Sequence, residues 1–228
     1  MAAMSPSSAK RTIDSRFLAY EAAPAPYTSQ QVFLYDFDTA SNLLVSQSFD
    51  FIGGGNSDSD SPDISSDGRF VVYRSSATNL IAAPDTNGVP DLFLYDRVNG
   101  VTTLLTATTY SIGPADNRSL GPVLSSDGRT LLFQSWASDL IASDFNQGGD
   151  LFSLSFLYAS ITLGVPGQGP TLTWTARPGE SYHVQFKNAL CDSGWQEVAG
   201  TITITGNLAQ LTDLAASAGQ RFYRVAVF

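Results

Sequence analysis

Two seven-residue segments carry the side chains best suited to hold a ligand. Asp85-Thr86-Asn87-Gly88-Val89-Pro90-Asp91 and Asp144-Phe145-Asn146-Gln147-Gly148-Gly149-Asp150 share the spacing Asp-x-Asn-x-x-x-Asp. Calcium takes about six to eight hard oxygen ligands, and closely spaced Asp and Asn side chains with loop carbonyls supply them. Gly88 and the pair Gly148-Gly149 leave the backbone room to curl around an ion. Asp85, Asn87, Asp91, Asp144, Asn146 and Asp150 are therefore the candidate metal ligands, with calcium as the candidate cofactor. No Glu closes either loop in the manner of an EF-hand. The same residue types also build Asx turns that cap loops and open strands. Both readings stand on the sequence alone.

Other candidates are weaker. The run Asn56-Ser57-Asp58-Ser59-Asp60-Ser61-Pro62-Asp63 is a second acidic cluster, and its counterpart Asp116-Asn117-Arg118-Ser119 has Arg118 in place of Asp58. A solvated loop explains it better than a cation site. Gly53-Gly54-Gly55 lacks the Lys and the following helix of a phosphate loop. His183 is the only histidine, so a Ser-His-Asp triad would depend on it and a His-based zinc site cannot form within one chain. Cys191 is the only cysteine, which excludes an internal disulfide and a Cys-rich zinc site. Any hydrolysis must then fall to carboxylates or a metal, and no individual catalytic residue stands out.

These residues belong to a chain of 228 with 12 Lys+Arg against 21 Asp+Glu, a formal net charge of −9. Only Glu21, Glu180 and Glu197 are glutamates, so the excess is aspartate, and it lies before Thr171. Duplex nucleic acid and anionic membrane surfaces are excluded as partners, because both need a basic face. No segment approaches the roughly 18 apolar residues of a spanning helix, so membrane insertion is not expected. The first eleven residues lack the apolar stretch of a secretory signal. An apolar share of 43% supports a large core. Abundant Gly, Pro, Ser, Thr and Asp with scarce Glu and Lys favour turns and strands over helices.

The elements that carry the acidic loops recur. Ser65-Ser66-Asp67-Gly68-Arg69 returns as Ser125-Ser126-Asp127-Gly128-Arg129, 60 residues later. Each is followed by an apolar strand (Phe70 to Tyr73, Leu131 to Phe133), the acidic loop, and a second strand that opens on Asp91 or Asp150. An earlier, degenerate copy starts near Asp14-Ser15-Arg16 and reaches Val32-Phe33-Leu34-Tyr35-Asp36. It has Gln31 where Asp91 falls, and is expected to be metal-free. Asp-Gly and Asn99-Gly100 supply tight hairpins. Four strands per copy make one propeller blade. The spacing thus predicts an all-β chain: a partial β-propeller of three four-stranded blade repeats at 12–46, 62–106 and 122–163.

The pattern Pro-x-x-Ser-x-Asp-Gly-Arg, an apolar strand, then Asp-x-Phe-x-Tyr-Asp resembles the Asp-containing, PD40-type propeller repeats of TolB-like proteins. The long middle loop, with Ser-x-Ala-Thr-Asn-Leu and Asp-x-Asn-Gly, is similar to a subgroup found in bacterial surface and secreted proteins. The resemblance implies a propeller and a secreted or periplasmic bacterial parent. It implies little about activity. Closed propellers have about four to eight blades, and open sheets expose edges that invite pairing. Three blades therefore predict a fragment of a longer parent, a homo-oligomer of two chains that completes the ring, or a ring completed by the C-terminal part.

Gly164 to Pro170 reads as a linker (164–170), and 171–228 as a small C-terminal β-sandwich of alternating strands. Trp174, Pro178-Gly179, Tyr182-x-Val184-Gln185, Trp195 and Arg221 to Val225 resemble a fibronectin-like module of secreted environmental-bacterial proteins. The leading functional expectation is a calcium-stabilised propeller-repeat module for binding or assembly. One alternative is a calcium-dependent hydrolase of small lactones or esters, by analogy with propellers that polarise a carbonyl through a central ion. The other is a truncated structural remnant. A small-molecule ligand is compatible with the first two.

Overall fold

The computed structural model describes residues 8–25, 27–83, 85–109, 113–146, 148–157, 159–163, 168–176, 179–189, 192–206, 208–216 and 220–227. Cys191, Gln147, Pro178 and most of the expected linker (164–167) lie outside the described residues. Two compact units follow one another, 1–156 and 157–228. Every regular element among the described residues is a strand.

Unit one is an open, partial β-propeller. Its first blade is the meander β1 (Ala9–Arg11), β2 (Phe17–Ala22), β3 (Gln31–Asp36) and β4 (Ser41–Leu44). The second is β5 (Ser59–Ile64), β6 (Phe70–Ser75), β7 (Asp91–Asp96) and β8 (Val101–Leu104). All pairings in them are antiparallel. The third blade holds only β9 (Ser119–Leu124), β10 (Thr130–Ser135) and β11 (Asp150–Ser155).

The fourth strand expected near 159–163 does form, as β12 (Ala159–Thr162), but it pairs with β13 (Thr171–Thr175) of the second unit. This corrects the reading of three complete blades. The cause is hairpin chemistry. Asp96 accepts the Val98 amide at 3.0 Å and receives the Arg69 guanidinium through both carboxylate oxygens, at 3.1 and 2.9 Å. Asp36 caps the first-blade hairpin through the Asp38 amide (2.9 Å) and pairs with Arg16. Ser155 stands at the equivalent place in the third blade, and Tyr158-Ala159 replaces Asn99-Gly100. Without the Asx cap and the Arg partner, nothing local turns the chain back onto β11.

The core lies between successive sheets. Phe17, Ala19, Val32 and Leu34 of the first blade meet Ile64, Val71, Tyr73 and Phe93 of the second in one buried cluster. The Val, Leu, Ile and Phe side chains among them each contribute about 1.5–3 kcal/mol by leaving water. Asp-Gly hairpins close the stack at one edge. Gly68 has φ +66, and a Cβ there would stand 2.1 Å from Phe17 Cδ2. Arg97 covers the same ring at 4.5 Å and donates to the Gly68 carbonyl at 2.8 Å. Side chains also cross between sheets to main chain: Glu21 accepts the Ser61 amide (2.9 Å) and Asp63 accepts the Leu124 amide (2.8 Å).

Unit two is the small β-sandwich. One sheet runs β12, β13, β17 (Leu208–Thr212), β16 (Thr203–Thr205); the other runs β15 (Gln196–Glu197), β14 (Tyr182–Lys187), β18 (Phe222–Val227). Leu172, Trp174, Ala209 and Leu211 of the first sheet share one buried cluster with Tyr182 and Val184 of the second.

Candidate functional site

Asp91 is the first residue of β7 and is wholly buried. Its two oxygens are both occupied. Oδ1 accepts from Thr106 Oγ1 (2.7 Å) and Oδ2 accepts from Asn87 Nδ2 (2.8 Å). Thr106 Oγ1 in turn accepts the Leu92 amide at 3.0 Å. Asn87 Nδ2 also donates to the Ala115 carbonyl (2.7 Å), while its Oδ1 accepts the Val89 amide (2.9 Å). These partners fix the amide orientation and turn its NH2, not its oxygen, toward Asp91. Asp85, also buried, accepts the Asn87 amide at 3.3 Å. The loop is thus a closed set of Asx turns tied to the end of the fourth strand.

The first blade builds the same lock from a neutral residue. Gln31 starts β3, is wholly buried, and accepts from Ser46 Oγ (2.7 Å) and the Gly55 amide (3.0 Å) through Oε1. Ser46 Oγ accepts the Val32 amide at 3.0 Å, as Thr106 does for Leu92. A Cβ on Gly54 would stand 2.8 Å from Gln31 Oε1, so glycine lets this backbone close on Gln31. The hydroxyls Ser46 and Thr106 were not among the expected site residues. Their signal is the spacing of fifteen residues from Gln31 and from Asp91, and the same spacing from Asp150 falls on Val165.

The third blade keeps half of the lock. Asn146 Nδ2 donates to Asp150 Oδ1 (3.2 Å), Asn146 Oδ1 accepts the Gly148 amide (2.7 Å), and Asp144 accepts the Asn146 amide (3.3 Å). Asp150 Oδ2 is buried with no hydrogen-bond partner among the described residues. The structure therefore brings Asp85, Asn87 and Asp91 together, and Asp144, Asn146 and Asp150 together, with an amide between two carboxylates each time. Among the described residues no three Asp, Glu, His or Cys side chains converge as a metal group.

The second acidic cluster is used up structurally. Asp60 pairs with Arg74, and Asp58 accepts the Gln30 amide at 2.8 Å. Asn56 and Asp116 each clamp the loop that follows the second strand of their blade, through the Thr78 and Ser138 amides (2.8 and 2.9 Å). His183 is exposed on β14 with Nδ1 at 3.4 Å from Glu197.

Burial pushes the Asp91 carboxyl up to about 7, against the lowering effect of the Thr106 and Asn87 bonds. Burial likewise raises Asp85. A carboxyl held above its unfolded pKa binds a proton more readily in the native state, so its contribution to stability is present below pH 4 and is lost as pH rises to about 7. In chelator-treated buffer, Asp91→Asn is expected to flatten this decline. Thermal melts at pH 5 and pH 8 check it: the variant gains on the parent chain between the two. Parallel profiles would mean that Asp91 does not titrate in this window.

No family model matches the chain, and no curated protein matches it. Solved structures do. The β-propeller domain of the Trilobed protease from Pyrococcus furiosus, which has an open velcro topology, matches with TM-score 0.41 and 12% identity, over 77% of this chain and 50% of that one. TolB from Acinetobacter baumannii matches with TM-score 0.40 and 15% identity, over 98% of this chain and 57% of that one. The tricorn protease matches with TM-score 0.38 and 10% identity, over 97% and 27%. The chain spans half to somewhat over half of the first two. The likeness concerns the fold.

Proposed function

We propose that the chain is a propeller-repeat module for binding or assembly, with calcium as the cation of its Asp-x-Asn loops. The observation that carries the binding role is the third blade, which ends on β11 with no strand on its outer edge among the described residues and leaves Val123, Leu132 and Leu151 exposed on one face. Sheet edges and apolar faces of this kind are where other chains attach.

For calcium, the loops differ. The 85–91 loop would have to turn the Asn87 amide away from Asp91, breaking bonds to Asp91 and Ala115. The 144–150 loop already has Asp150 Oδ2 without a donor, so it fills first. An ion that binds only the native state at a hundredfold excess over Kd stabilises by about 2.7 kcal/mol. For a chain of this size that raises Tm by roughly 5–10 °C. Melting in millimolar calcium and in chelator tests this, with Asp144→Asn expected to cancel the gain. Identical curves in both buffers end the calcium part and leave the binding role standing.

A further inference from the structure

We infer that the β11 edge is a receptor for one added strand, an extended segment that ends aliphatic-aliphatic-Ser/Thr. The inference deepens the binding role proposed above and needs no calcium, which would compete for the same Asp150 oxygen. It rests on what the other two blades place at the same edge.

In both complete blades the fourth strand makes the same set of bonds. Phe33 faces Leu44 and Phe93 faces Leu104 in register. The next residue donates its amide to the second residue of the third strand, Val45 to the Val32 carbonyl (2.9 Å) and Leu105 to the Leu92 carbonyl (2.8 Å). The hydroxyl after it accepts that same residue's amide and donates to the side chain at the strand's start. The two segments doing this are Leu44-Val45-Ser46 and Leu104-Leu105-Thr106.

β11 presents the receiving half of this arrangement. Asp150, Leu151 and Phe152 stand where Asp91, Leu92 and Phe93 stand, and Phe152 stacks on Phe133 as Phe93 stacks on Tyr73, with centroids 5.4 and 5.8 Å apart. Asn146 holds one Asp150 oxygen, as Asn87 holds one of Asp91. The other Asp150 oxygen, the counterpart of the one Thr106 fills, is buried and lacks a donor among the described residues. A groove of about 580 Å³ runs along this edge, lined by Asp144, Phe145, Asp150, Leu151 and Ser153 among others. Fifteen residues after Asp150 the sequence has Val165, which carries no hydroxyl, where Thr106 follows Asp91, and β12 pairs with β13.

The element missing beside β11 is a strand. On the face next to it Thr130 and Ser153 replace the buried Phe70 and Leu94 of the second blade, while Val123, Leu132 and Leu151 stay exposed. What is incomplete is the edge, where main-chain bonds give affinity and a single hydroxyl gives selectivity.

The test uses the full chain, in chelator, with a synthetic peptide of residues 100–107 as probe. Saturable binding is expected, with the Leu151 amide gaining exchange protection. The Thr106→Val peptide should bind about tenfold more weakly, since it loses a hydroxyl bond to a buried carboxylate. Asp150→Ala should take up both peptides equally. No binding, equal affinity of the two peptides for the unmodified chain, or protection without Leu151 would each overturn the inference. So would dimerisation through this edge with no peptide uptake. The calcium melts and this titration fail separately, because the titration contains no calcium.

Discussion

Gly68→Ala is expected to cost roughly 2–5 kcal/mol, a large share of the about 5–15 kcal/mol that holds a domain of ordinary stability folded. Two terms add. Gly68 sits at φ +66, where an L side chain costs about 1–2 kcal/mol. Its Cβ would also fall 2.1 Å from the Phe17 ring, and overpacking costs about 1–3 kcal/mol. The ring has little room to retreat. Phe17 is buried, with the guanidiniums of Arg16 and Arg97 over it at 4.7 and 4.5 Å.

Gly100 separates the two terms. Its φ is +65, yet nothing lies within 4 Å of the Cβ it would carry. Gly100→Ala should therefore lose only the backbone term. Denaturant unfolding of both variants measures the difference, and Phe17→Leu combined with Gly68→Ala should recover part of it. Equal losses at the two glycines would show that the hairpin does not press on the neighbouring blade. The result bears on function through the stack. If each Asp-Gly hairpin locks onto the Phe of the blade before it, as at Gly128, where an added Cβ would stand 3.2 Å from Phe70 Cδ2, the three sheets are held as a rigid platform for the β11 edge.

Local chemistry made most of the propeller legible. The hairpins follow from Asp-Gly and Asp-Arg-Val-Asn-Gly, and the strands from apolar runs bounded by them. The degenerate first copy was legible because Thr12, Asp14 and Arg16 rebuild the Ser65, Asp67 and Arg69 turn bond for bond. The loops were legible as positions but not as roles. What engages Asp91 comes from Thr106 and from Asn87, itself held by Ala115, residues whose nearness depends on strand pairing rather than spacing. Gln31 was readable as the exception, yet its neutral amide builds the same lock as a carboxylate. The fate of 159–162 was not readable from alternation, because an alternating strand fits β11 and β13 equally well. The missing Asp at 155 carried that information, and it is a turn signal rather than a strand signal.

Arg221→Met is expected to cost the second unit roughly 3–5 kcal/mol, through a charge rather than a cavity. Asp213 is 1% exposed and pairs with Arg221, which also donates to the Ala215 carbonyl at 3.0 Å and lies over Phe186 at 4.1 Å. Tyr223 donates to the same Asp213 oxygen at 2.9 Å. Burial and this carboxylate together push the Tyr223 phenol up to about 12, so it remains a donor throughout the accessible pH range. Methionine keeps the apolar stem against Phe186 but leaves the carboxylate with only the Tyr223 hydroxyl and the Ala215 amide. Removing the stranded charge should then restore much of the loss, so Asp213→Asn combined with Arg221→Met should be more stable than Arg221→Met alone. Denaturant unfolding of the single and double variants measures it. If the double variant loses the sum of the two single losses, the pair contributes packing only. If it recovers, the ion pair is what holds β18 and the β17 end together, in a unit whose charge is otherwise balanced.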